Sequence, residues 1–125
     1  MHPLILDTSA LLGVGRVIWL SRLLAATHRR PDVPLLVPAA CLLVAGQERP
    51  HLTSHVGSLP AICVIELAYH HLLTFEQWRW PEPDAAHTAS IALPSAEHPD
   101  GAPVVTDEPE RYEPWPHVRT LPLHD

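Results

Sequence analysis

The sequence predicts an α/β fold, a three-layer sandwich in which a mostly parallel central sheet is flanked by helices, with residues 1–125 forming one domain. Three observations lead there. Short apolar runs, several of them β-branched, alternate with longer segments whose apolar residues recur at helical spacing, the pattern of strand–helix–strand crossovers. Apolar residues make up 46% and charged residues 18% of the 125, enough for one core and too lightly charged for a disordered chain. No internal repeat or low-complexity tract competes with this organisation, although nine of the fifteen prolines fall after residue 80.

Each element has its own signal. Leu4 to Leu6 is an apolar run ending at Asp7, and Thr8 and Ser9 can cap a helix that continues to about His28 on a stripe of Leu12, Val17, Leu20, Leu23 and Leu24. Pro31 stops it, since the residue before a proline is pushed out of the helical region. Leu35 to Val37 is the second strand, and Pro38 suits the first position of a helix that Pro50 ends. Residues 51–60 are too polar and turn-rich to assign. The segment from Ile62 to Leu67 is the third strand, with a helix over about Ala68 to Trp78. Asp84 can cap a further helix that Pro94 closes, Val104 to Thr106 is a short buried strand, and Val118 to Leu123 is the last. Most of the late prolines fall between these elements, so they punctuate a fold rather than mark a disordered third.

Charge and targeting signals narrow the class. Fourteen acids against eight bases give −6, which leaves no global field for binding a polyanion without regard to sequence. The N-terminus has no basic region before its apolar stretch, and the longest uncharged run, Val33 to Gln47, is too short and proline-interrupted to span a bilayer, so a cytoplasmic protein with no membrane partner is expected. Cys41 and Cys63 each sit in an apolar run and read as reduced core residues.

The chemistry lies in the placement of carboxylates. Ligands of an open parallel sheet bind outside the carboxyl ends of its strands. Asp7 ends the first strand, Asp107 and Glu108 follow Val104–Thr106, and Asp84 opens a helix whose start can face the same side. Carboxylates gathered in one cleft repel unless a cation offsets them. Hard oxygen ligands suit Mg²⁺ or Mn²⁺, and such an ion can activate water against a phosphodiester. The competing account makes Asp84 only a cap and Asp107 and Glu108 only turn residues.

LILDTSALL, VPAACLL, DAAHTASIAL and VVTDEPERY, in that order and over this length, resemble the PIN domain, and among its branches the compact bacterial toxin ribonucleases of the VapC type. The resemblance implies a parallel sheet between helices and a Mg²⁺- or Mn²⁺-dependent endoribonuclease, the toxin of a toxin–antitoxin pair. Its partners would be RNA and an antitoxin protein covering the acidic cleft, with a homodimer as a compatible assembly. Carried over by position, Asp7, Asp84 and Glu108 would be catalytic metal ligands, Asp107 a neighbouring ligand, and Ser9 and Thr106 supporting residues. One position departs. Where the pattern has its second acid, usually Glu, stands Val44; Glu48 lies one turn further on and is the substitute acid the helix offers. Val44 weakens the implied activity. The alternative is a catalytically degenerate PIN-like domain that keeps the fold as a protein- or RNA-binding module.

Other groups are weaker. His51 and His55 have zinc-compatible spacing but no third ligand nearby. His70 and His71 point to different sides of a helix, and His87, one turn after Asp84, reads first as a surface residue. Trp78-Arg79-Trp80 can stack on unpaired bases or pack as a loop.

Overall fold

Five apolar runs pair side by side as an all-parallel sheet, and the segments between them cover both of its faces. The computed structural model describes residues 3–30 and 33–123. In chain order the elements are β1 (Leu4–Leu6), α1 (Thr8–Leu12), α2 (Ile18–His28), β2 (Leu35–Pro38), α3 (Ala39–Glu48), α4 (Leu52–Gly57), β3 (Ile62–Ile65), α5 (Tyr69–Gln77), α6 (Pro83–Ile91), β4 (Val104–Thr106), a 3₁₀ turn (Pro109–Tyr112) and β5 (Thr120–Pro122). The strand order is β3-β2-β1-β4-β5. The three-layer α/β arrangement expected from the sequence is present, with every strand pair parallel.

Alternation along the strands divides the core in two. Leu6, Leu35, Val37 and Val105 join Leu11, Leu20, Cys41 and Val56 on one face, while Ile5, Leu36 and Val104 join Phe75, Ala86, Ala89, Tyr112 and Trp115 on the other. Strands covered on both faces are apolar at successive positions, which is why these runs do not alternate with polar residues. Order reverses at β1: β2 lies on one side and β4 on the other. The crevice where a parallel sheet binds ligands therefore opens beyond Leu6 and Thr106.

Several local expectations are corrected. The first helix is two, because Gly13, Val14 and Gly15 form a turn between α1 and α2, with Gly15 at φ 79°. Arg49 holds that turn by donating to the Leu12 and Val14 carbonyls at 3.0 and 2.7 Å. The unassigned stretch contains α4, entered through His51 at φ 67°. Asp84 is not a cap: Glu82 precedes the helix, Pro83 takes its first position, and Asp84 lies in the first turn. Cys63 is exposed rather than in the core, because β3 is an edge strand. No helix among the described residues is long and apolar enough to cross a membrane.

One glycine is required by geometry. Gly101, at φ 72°, leads into β4, and a Cβ there would lie 2.3 Å from the Ala92 carbonyl oxygen. Gly101→Ala is expected to lower stability by about 2 kcal/mol, the sum of left-handed strain and local displacement, measured by urea unfolding.

Candidate functional site

The crevice beyond β1 and β4 is built by the first helical turn after each crossing. Asp7 is fully buried and caps α1: its Oδ1 accepts the Ala10 N–H at 3.0 Å and the Ser9 hydroxyl at 2.7 Å. Its Oδ2 accepts the Tyr112 hydroxyl at 2.7 Å. Ser9 has one proton and gives it to Asp7, so Ser9 Oγ accepts from the Thr106 hydroxyl at 3.2 Å and from the Asp107 N–H at 2.8 Å. Thr106 in turn accepts the Glu108 N–H at 2.9 Å. These bonds stitch the ends of β1 and β4 into one surface.

Asp84 reaches that surface from α6. Its Oδ2 accepts the Thr8 hydroxyl at 2.7 Å, so neighbouring residues of the first turn of α1 bind both acids. Arg111 completes the set with a two-pronged contact, donating to Asp84 Oδ1 at 2.8 Å and Oδ2 at 3.1 Å, and at 3.4 Å to the exposed Glu82. Behind them the Cys41 thiol donates to Thr88 Oγ1 at 3.0 Å, since Thr88 gives its own proton to the Asp84 carbonyl.

The electrostatics follow from burial and these partners. Burial pushes the Asp84 carboxyl up, but the hydrogen bonds and charge of Arg111, with Thr8, outweigh it and hold the group below its ordinary value. The Arg111 guanidinium is held more firmly protonated by its bonds to Asp84. Burial and the Asp7 carboxylate raise the Tyr112 phenol, so it remains a donor. Burial pushes Cys41 up to about 12, which makes it an inert thiol.

The residues singled out from sequence divide into two groups. Asp7, Asp84, Ser9 and Thr106 converge in the crevice, Asp7 and Asp84 being joined through Thr8 and α1. Asp107 and Glu108 lie at its mouth with exposed side chains, tied in through their backbone N–H groups. Asp107 also lines a cavity of about 350 Å³ between Thr106, Pro109 and β5. Glu48 is exposed at the last turn of α3, and Val44, half-buried, is one turn from Cys41. Among the described residues no group of three or more His, Cys, Asp or Glu side chains is gathered to hold a metal ion.

In this arrangement the Arg111 guanidinium already holds the Asp84 carboxylate. Each carboxylate has about four lone-pair directions. Asp7 uses three of its four on Ser9, Ala10 and Tyr112, and Asp84 uses three on Thr8 and the two Arg111 nitrogens. One direction remains on each acid, no more than the one or two carboxylate contacts a hydrated Mg²⁺ makes, and beside Asp84 the Arg111 guanidinium already stands.

Arg111 and Tyr112 are the crevice residues that sequence reasoning missed. The signal was their place three and four residues beyond Glu108: a tight 3₁₀ turn after a short strand carries side chains at that distance back over the strand end.

His87 is buried, not on the surface, and forms a ring cluster beside the site. Its Nδ1 accepts the Ala40 N–H at 3.3 Å, so Nε2 carries the proton in the neutral ring, and that buried atom has no hydrogen-bond partner among the described residues. The His71 ring stands edge-on at 4.6 Å, with His70 a further 4.0 Å from His71. Burial, with the neighbouring imidazoles, lowers His87 to about 4 despite the pull of the Glu66 carbonyl. The unfolded chain therefore takes up a proton near pH 6.5 that the folded chain refuses until about 4. This stability is complete above pH 6.5 and is lost as pH falls towards 4, by about 3 kcal/mol. Urea titrations at pH 7 and 4.5 are expected to show it, with the difference reduced in His87→Leu.

Comparison with protein-family models and with curated proteins finds no match for this chain.

Proposed function

We propose that this chain is a PIN-type domain in which the Arg111 guanidinium has taken the counter-ion role of a divalent cation, leaving a catalytically degenerate module that binds a partner at its acidic crevice. The observation that carries the proposal is the two-bond Arg111–Asp84 contact at 2.8 and 3.1 Å, made to a carboxylate that Thr8 also holds. Val44 on the adjoining face of α3 supports it, because an isopropyl group supplies no oxygen to a cation. The rim favours a basic protein segment over RNA: Glu82, Asp107, Glu108 and Glu110 are exposed there on a chain of charge −6, so a phosphate backbone meets repulsion. An antitoxin-like protein presenting arginines is a partner of that kind.

The second proposal, a Mg²⁺- or Mn²⁺-dependent endoribonuclease of the toxin type, is favoured by one observation. Asp7 and Asp84 are both retained at the point where strand order reverses.

RNA cleavage by the purified protein in Mn²⁺ or Mg²⁺, compared with Asp7→Ala, separates the two. The degenerate module gives no cleavage above that of Asp7→Ala, and calorimetry with Mn²⁺ alone gives no heat of binding. Metal-dependent cleavage that Asp7→Ala abolishes would establish the nuclease and overturn the first proposal. Val44→Glu is expected to raise Mn²⁺ affinity only when combined with Arg111→Gln, because the guanidinium otherwise holds Asp84.

A further inference from the structure

Charge is divided unevenly along the chain. Residues 8–31 hold four of the eight arginines and no acid, whereas eleven of the fourteen acids follow residue 60. Those four, Arg16, Arg22, Arg29 and Arg30, are exposed in and around α2, and none of them makes an ion pair among the described residues. Arg22 and Arg29 stand two turns apart, about 10.5 Å along one side of the helix, and Ile18 and Ala25 fall on the same stripe. Nothing covers that stripe: Ile18 is 64% exposed, and the small residues Ser21, Ala25 and Ala26 are exposed with it. Beside it, Leu24, Ala25 and His28 with Leu59, Pro60 and Ala61 line a cavity of about 210 Å³. Ala61 immediately precedes β3, so this cavity lies at the amino ends of the strands, away from the crevice beyond their carboxyl ends.

We infer that this face of α2 is a docking site for a short acidic protein segment carrying one bulky apolar side chain, the arginines meeting its carboxylates and the cavity taking that side chain. Charge complementarity selects the sign of the partner. Four unpaired guanidiniums, with no acid between residues 8 and 31, attract an anionic chain and repel a cationic one. Size and lining select the rest. At about 210 Å³ the cavity is smaller than the roughly 300 Å³ at which small-molecule sites begin, and it has room for one side chain. Its walls are apolar except for His28, so a phosphate or a sugar placed there would lose water without finding partners. A long polyanion running past α2 meets the acids that dominate the rest of the chain, whereas a segment no longer than α2 stays on the arginines. A flat bilayer does not enter a concave slot, and Ile18 is the one large apolar side chain exposed on α2, too little to anchor an interfacial helix.

The test uses the full chain and a synthetic peptide as long as α2, acidic throughout apart from one central Trp. At low salt this peptide is expected to shift the NMR amide resonances of α2, Leu59 and Ala61. The same peptide with Ala in place of Trp should bind about tenfold more weakly, because the cavity stays empty. Arg22→Glu/Arg29→Glu should weaken the Trp peptide by about tenfold or more and remove most of its salt dependence. Ala25→Trp, which fills the cavity from its own wall, should bind the Trp and Ala peptides alike. Three results would each overturn the inference: no shift in α2 at millimolar peptide, a Trp peptide bound no better than its Ala form, or a double charge reversal that binds as wild type does. Tighter binding at α2 of oligouridylate or of phosphatidylserine vesicles also overturns it, and assigns the face to RNA phosphates or to a membrane surface. The comparison of the two peptides is made on the wild-type protein, so it decides even if a variant fails to fold. No acid of the crevice takes part, and the outcome is independent of what that site binds or cleaves.

Discussion

Arg111→Ala lowers unfolding free energy at neutral pH by about 3 to 5 kcal/mol, because it strands a buried carboxylate. The side chains of Arg111 and Asp84 are only 18% and 7% exposed, so solvent screens the intact pair little. Asp84 titrates below its ordinary value in the folded protein. The contribution of the pair is therefore complete above the unfolded carboxyl value, near 3.9, and is lost as pH falls through the lower folded value. Wild type and Arg111→Ala should accordingly converge in stability below about pH 4. Arg111→Ala/Asp84→Asn should be more stable than Arg111→Ala alone, since the neutral amide needs no counter-charge. On the proposed reading, millimolar Mn²⁺ raises the Tm of Arg111→Ala and leaves wild type unmoved. A loss below 1 kcal/mol in urea unfolding at pH 7 would show that Arg111 is not the counter-ion of the crevice.

Asp7 is the second large effect. Asp7→Ala removes the α1 cap and leaves the Tyr112 hydroxyl and the Ser9 hydroxyl without an acceptor, a loss of about 3 kcal/mol. Asp7→Asn is expected to cost only about 1 kcal/mol: its oxygen can still accept from Ser9 and Ala10, and its amide can donate to a reoriented Tyr112 hydroxyl. Chemical unfolding of the two variants checks this order. Equal losses would mean that the negative charge, and not the hydrogen-bond geometry, is what the buried site requires.

The strands were legible because a strand buried on both faces writes itself as an apolar run, as Leu35 to Val37 and Val104 to Val105 do. The α1–α2 break was written in Gly13 and Gly15, but the leucine stripe on either side suited one continuous helix and hid it. Cys63 was misplaced for a topological reason: its apolar neighbours are those of a central strand, and only the strand order reveals an edge. In the crevice, Asp7, Asp84, Ser9 and Thr106 could be foreseen because each sits where an element begins or ends. Arg111 could not, because the same Arg in a turn of Glu and Pro reads as a solvated charge until Asp84, 27 residues earlier, is brought beside it. His87 failed similarly, since a histidine on an alanine-rich helix declares its burial only through Ala40 and His71.

The cap that Asp7 provides has an evolutionary consequence. A lineage that gives up chemistry at this crevice does not thereby become free to replace Asp7, because the first helix still needs its N-terminal acceptor and Tyr112 still needs its oxygen. On the proposed reading, folding by itself accounts for an acid or amide at this position followed by Thr and Ser, and the guanidinium seated on Asp84 is the feature that bears on function.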